Sequence, residues 1–95
     1  MLEKTTLELY KKAYALLLEY MEKRAWTDLN DQKLQVFLAE CKINLMVFPN
    51  QKGELKYSVD DRVGKQSFTL KVDTDSYSAA YEMAITKGFE ILNER

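Results

Sequence analysis

The hydrophobic positions of this chain change period along its length, and the changes divide it into elements. From about residue 5 to 25 they recur at helical spacing. On a wheel turning about 100° per residue, Glu8, Lys12, Glu19 and Lys23 form one polar stripe flanked by Lys11 and Glu22. The apolar residues, among them Leu7, Leu9, Tyr10, Ala13, Tyr14, Leu16, Leu17, Leu18, Tyr20 and Met21, spread over an arc of roughly 200°. A helix lying on one core needs an apolar arc of little more than about 100°. Thr5 or Thr6 is available as N-cap, and Glu8 stands where a capping box with Thr5 requires it.

Trp26 to Asn30 read as a connection whose Thr27, Asp28 and Asn30 supply capping chemistry. A short helix is predicted over 31–41, with Leu34, Phe37, Leu38 and Cys41 on one face. The period then drops to two. Ile43, Leu45 and Val47 alternate with Asn44, Met46 and Phe48; Leu55, Tyr57 and Val59 with Glu54, Lys56 and Ser58; Phe68, Leu70 and Val72 with Ser67, Thr69 and Lys71. Short turns around Pro49–Gly53 and Asp60–Lys65 make the three strands antiparallel neighbours over 42–72. A last helix over 76–93, capped by Ser76 or Asp75, places Tyr77, Ala80, Tyr81, Ala84, Ile85, Gly88 and Leu92 on its core stripe. Gly88 in mid-helix costs about 1 kcal/mol against Ala, so its place on that stripe predicts a close approach to the sheet. The expectation is one α+β domain over 1–95, ordered α-α-β-β-β-α, with helices on the apolar face of a three-stranded sheet.

Composition narrows the partners. The 14 basic and 15 acidic residues leave a net charge of −1, so no long-range field draws the protein to nucleic acid or an anionic membrane. Residues 51–71 carry five positive and three negative charges, a weak local excess. Cys41 is the single cysteine, which excludes an intramolecular disulfide and suits a reducing compartment. No signal-peptide core and no run of about 18 apolar residues is present, so cytoplasmic residence without a membrane span is expected.

Chemistry is narrowed further. Without histidine the chain lacks the commonest general base and the usual zinc ligand sets, and it has no glycine-rich phosphate loop. Asp60–Asp61 and Asp73–Asp75 could in principle form a two-acid or Mg²⁺ site, but a hairpin turn and a helix N-terminus favour Asp for structural reasons. Cys41 closes a helix on its apolar stripe, where a buried structural thiol is expected. No enzyme activity, cofactor or metal is therefore expected.

Residues from about Leu34 to Leu92 resemble small uncharacterised proteins of phages and mobile elements of gut bacteria, built from a helix, three strands and a closing helix. The stretch carrying the likeness is Val72-Asp73-Thr74-Asp75-Ser76-Tyr77-Ser78-Ala79-Ala80, with Ser78 and Ala79 where the family usually has acids. The resemblance implies the fold and no activity. In topology the β-β-β-α tail also resembles the double-stranded RNA-binding domain, whose closing helix begins with a lysine cluster. Here it begins Ser76-Tyr77-Ser78-Ala79-Ala80, so the likeness does not carry that function.

Two surfaces remain as candidates. Either the wide arc of the first helix is buried by the rest of the chain, or part of it is a partner surface. In the second case Leu9, Leu16, Leu18 and Tyr20 would bind a protein partner or a second copy. The alternative is a nucleic-acid-binding accessory protein using the open sheet face through Met46, Phe48, Lys56 and Lys71, by stacking and phosphate contacts.

Overall fold

The computed structural model describes residues 3–95; Met1 and Leu2, with which the predicted segment 1–25 begins, lie outside them. The chain runs α1 (Lys4–Glu8), α2 (Lys11–Arg24), α3 (Asp31–Glu40), β1 (Ile43–Pro49), β2 (Leu55–Asp61), β3 (Gln66–Lys71) and α4 (Tyr77–Asn93). It is an α+β fold around a three-stranded antiparallel sheet of order β1-β2-β3.

The single helix expected over 5–25 is two helices. At the break, the N–H groups of Leu9 and Tyr10 reach back three residues to the carbonyls of Thr6 and Leu7, and the regular helix restarts at Lys11. In an unbroken helix Leu7 would stand about 120° from Ala13 around the axis. The break instead buries Leu7, Ala13 and Leu17 together. Burying a leucine is worth about 1.5–3 kcal/mol, enough to offset the helical hydrogen bonds given up. The capping box does not form: α1 is preceded by Glu3, with no side-chain cap bond. Nor does Tyr10 cap α2. Asn93, at the end of α4, does so, its Oδ1 accepting from the N–H of Lys12 (2.8 Å) and of Ala13 (3.2 Å). Two of the donors that every helix start leaves unpaired are thus closed from the other end of the chain.

Helix α2 ends on Ala25 in the left-handed conformation (φ 55°), with the Trp26 N–H bonded to the Met21 carbonyl. That turn folds Trp26 back onto Tyr20, ring centres 5.2 Å apart. Tyr20 also meets Phe37 of α3 (5.5 Å), and Phe37 meets Phe89 of α4 (5.8 Å), an aromatic row through three helices. Asn30 caps α3 through the Lys33 N–H (2.8 Å), and Ser76 caps α4 through the Ala79 N–H (3.2 Å).

Helix α4 lies across β1 and β2, α3 lies against β1 and α4, and α2 packs on α4. Small residues bring α4 close: Ala80, Ala84 and Gly88 are buried. A Cβ on Gly88 would fall 2.8 Å from Leu38 Cδ1 and 3.5 Å from Ile43 Cγ2. The close approach expected toward the sheet is therefore made first to α3 and then to β1. The buried stripe departs from the predicted one at two positions: Tyr77, expected on it, is exposed, and Phe89, not expected on it, is wholly buried.

On the inner sheet face the cross-strand rows are Ile43–Asp61–Gln66, Leu45–Val59–Phe68 and Val47–Tyr57–Leu70. The first two strands are covered as expected, with Ile43, Val59 and Tyr57 buried, but Leu70 is 45 % exposed. A helix is about 10 Å wide and strands stand about 4.8 Å apart, so the body of α4 spans two strands and meets the third through the long Lys87 side chain over Phe68.

Asn93→Ala is expected to lower unfolding stability by about 1 kcal/mol. Amide exchange at Lys12 and Ala13 should quicken more than at the sheet amides. Unchanged protection at those two amides would mean that Asn93 does not hold the start of α2.

Candidate functional site

The carboxylate pairs do not converge. Asp60 stands exposed on the outer sheet face, while Asp61 points inward and is 6 % exposed. Asp61 Oδ1 accepts from the N–H groups of Val63 (3.1 Å) and Gly64 (3.0 Å) and from Arg95 Nη2 (2.8 Å). A Cβ on Gly64 would fall 2.5 Å from Asp61 Oδ2, so glycine leaves room for this arrangement. Burial alone would raise the Asp61 pKa, but the Gly64 N–H, the Arg95 guanidinium and the Val63 N–H together hold it below the usual carboxylate value. Arg95 Nη1 also donates to the Cys41 carbonyl (2.6 Å), tying the end of α3 to the end of α4. Cys41 is half-buried, and that burial pushes its thiol pKa up. Asp73 and Asp75 are exposed. Among the described residues no three Cys, Asp or Glu side chains gather as a metal site, and no helix is long and apolar enough to cross a membrane.

The four residues proposed on the first helix are not brought onto one surface. Leu9, 76 % exposed, lies in the break between α1 and α2. Leu16 and Leu18 are both exposed, but two residues apart they stand roughly 160° from each other around α2, on opposite shoulders. Leu18 borders a groove of about 300 Å³ with Leu7, Tyr14, Met21 and Leu29. Leu16 borders another, of about 360 Å³, with Tyr20, Phe37 and Cys41. Tyr20 is partly buried in the aromatic row, and its hydroxyl is enclosed with no hydrogen-bond partner.

The proposed outer-face residues do share a face. Phe48, Lys56 and Lys71 form one cross-strand row, and Met46 stands in the next row with Ser58 and Thr69. The Lys71 ammonium is paired with Glu54, which raises the lysine pKa and lowers that of the glutamate. Much of the positive field of this row is therefore answered within the protein.

A surface that the sequence reading missed lies on the inner side, between α4, β2 and the segment that leads from β3 into α4. It is a groove of about 560 Å³ lined by Tyr57, Val72, Met83, Thr86, Lys87 and Glu90. Met83 is 44 % exposed on the helix wall, and exposed Leu70 is the cross-strand neighbour of Tyr57 just outside the groove. Phe68 is covered by the Lys87 ammonium, 4.5 Å from its ring centre, and Lys87 is in turn 3.5 Å from Glu90 Oε1. Burial pushes the Tyr57 phenol pKa up. A signal was present in the sequence: Met83 is a large apolar residue off the predicted α4 stripe.

Comparison with protein-family models, with curated proteins and with solved structures finds no match to this chain.

Two outcomes check these assignments. Tyr20→Phe removes an enclosed hydroxyl with no partner, so it should leave stability unchanged or raise it by up to about 1 kcal/mol in denaturant unfolding. A loss of stability would mean that the hydroxyl is bonded. Arg95→Ala should cost about 1.5–3 kcal/mol at neutral pH. Because the folded Asp61 pKa lies below its unfolded value, this stabilisation is complete above the unfolded pKa, near 4, and fades as pH falls through the folded one. The gap between the two unfolding curves should therefore narrow in acid to the share owed to the Cys41 carbonyl, and a gap independent of pH would show that the Asp61 charge plays no part.

Proposed function

We propose that this chain is a non-enzymatic protein-interaction protein of the cytoplasm, and that its working surface is the inner side of β3 with the groove beside α4. The observation that carries this reading is a pair of exposed apolar side chains flanking Tyr57: Met83 on the helix wall of the groove and Leu70, the cross-strand neighbour of Tyr57, on β3. Apolar side chains converging on a concave surface gain most from being covered by another protein. The shoulders of α2 offer single leucines facing opposite ways and so support a weaker contact. A binding rather than a catalytic role is favoured because Asp61 and Arg95 are committed to each other and Cys41 is held as a thiol. The pairing of Lys71 with Glu54 weighs against nucleic acid on the outer face.

A photocrosslinking amino acid in place of Met83, in cells that make the protein, should trap a discrete protein adduct. Adding Leu70→Lys should remove it while the fold, read by circular dichroism, is kept. No adduct, or one indifferent to Leu70→Lys, overturns this reading.

A further inference from the structure

The two edges of the sheet are not alike. The Asn50 N–H bonds to the Glu54 carbonyl (2.8 Å), and with the register this turns the backbone groups of Phe48, Met46 and Asn44 toward β2. Ile43, Leu45, Val47 and Pro49 therefore face the free edge of β1. Pro49 has no N–H to offer there, and α3 packs along this strand. On the other side, the Val72 N–H bonds to the Leu55 carbonyl (2.9 Å), so Leu70, Phe68 and Gln66 bond inward. Ser67, Thr69 and Lys71 are left with N–H and C=O groups pointing out from β3. All three are exposed, and neither a proline nor a covering helix blocks them. Such an edge is a template for another strand.

From this geometry we infer that two copies of the chain pair through β3, antiparallel about a twofold axis, to make one continuous six-stranded sheet. The inference rests on the interaction reading above and names its partner as a second copy. Register follows from two conditions: outward-bonding residues must meet outward-bonding residues, and inner faces must stay on one side. Setting Thr69 opposite Thr69 of the second copy meets both. It also gives Ser67 opposite Lys71 on each side, three hydrogen-bonded pairs lying wholly within Gln66–Lys71. On the inner face Phe68 then stands opposite Leu70 of the other copy, so the exposed Leu70 side chain of each copy is covered by the partly buried Phe68 of its partner. Charge agrees with this register. Lys65 of each copy, in the turn just before the strand, is carried to the side of Asp73 of the other, whereas sliding the strands to place Phe68 opposite Phe68 would bring Lys65 toward Lys71.

Thr69→Pro tests the inference without threatening the fold, because the Thr69 N–H makes no bond to β2. In sedimentation velocity over a concentration series, the unaltered chain should reach twice the monomer mass. Thr69→Pro should raise the dissociation constant by roughly 100-fold or more with an unchanged circular dichroism spectrum. Register is read by oxidising single-cysteine variants in a Cys41→Ser background. Thr69→Cys should cross-link to a dimer, since facing Cα atoms in such a pair lie about 5.5 Å apart. Ser67→Cys should not. A chain monomeric at every concentration, a dimer indifferent to Thr69→Pro, or cross-linking through Ser67→Cys instead overturns the inference. A monomer that still gives a hetero-adduct from position 83 would overturn this pairing alone and leave the broader interaction reading in place.

Discussion

The seat of α4 against α3 and β1 is the constraint on which the rest of the molecule depends. Leu38 occupies the space a side chain at Gly88 would fill, and Ile43 lies just behind it. With Ala80 and Ala84 also in contact, the helix axis comes closer to the sheet than a leucine-faced helix could. Once α4 is seated there, its C-terminal residues are delivered to two places at once. Asn93 reaches the start of α2, and Arg95 reaches the corner where β2 turns toward β3. The same seat leaves β3 uncovered. Close packing on two strands and exposure of the third are thus one geometric fact seen from two sides.

The corner itself shows why a buried charge can be structural. Asp61 continues the inward alternation of Leu55, Tyr57 and Val59, so it arrives on the covered face with its carboxylate. A lone buried carboxylate would be costly, and two backbone N–H groups and a guanidinium satisfy it. In return Arg95 joins the ends of α3, β2 and α4 through the Cys41 carbonyl and Asp61.

Much of this was legible in the residues. The α+β class and the strand alternation follow from periodicity, and the Asn30 and Ser76 caps are local chemistry, each bonding three residues ahead. What escaped was non-local. The start of α2 at Lys11 is capped by an acceptor 80 residues away, which no window along the sequence contains. Leu70 has the alternation of a buried residue, but whether a helix lies above it is decided by where Gly88 lets α4 sit. The surplus apolar arc of the first helix was a true signal with a divided meaning. Leu7 and Leu17 are buried and Tyr20 partly so, while Leu16 and Leu18 are left on opposite sides. The groove beside α4 was missed because it joins residues from a strand and a helix that look complete when read singly.

The bond between Asn93 and the start of α2 also bears on how the chain assembles. On the ribosome Lys12 and Ala13 emerge long before their acceptor is synthesised, so the first long helix must wait, uncapped, for the last one. Contacts of such sequence separation are slow to form, because the whole intervening chain must be brought to order first. The start of α2 and the end of α4 therefore become fixed in the same step.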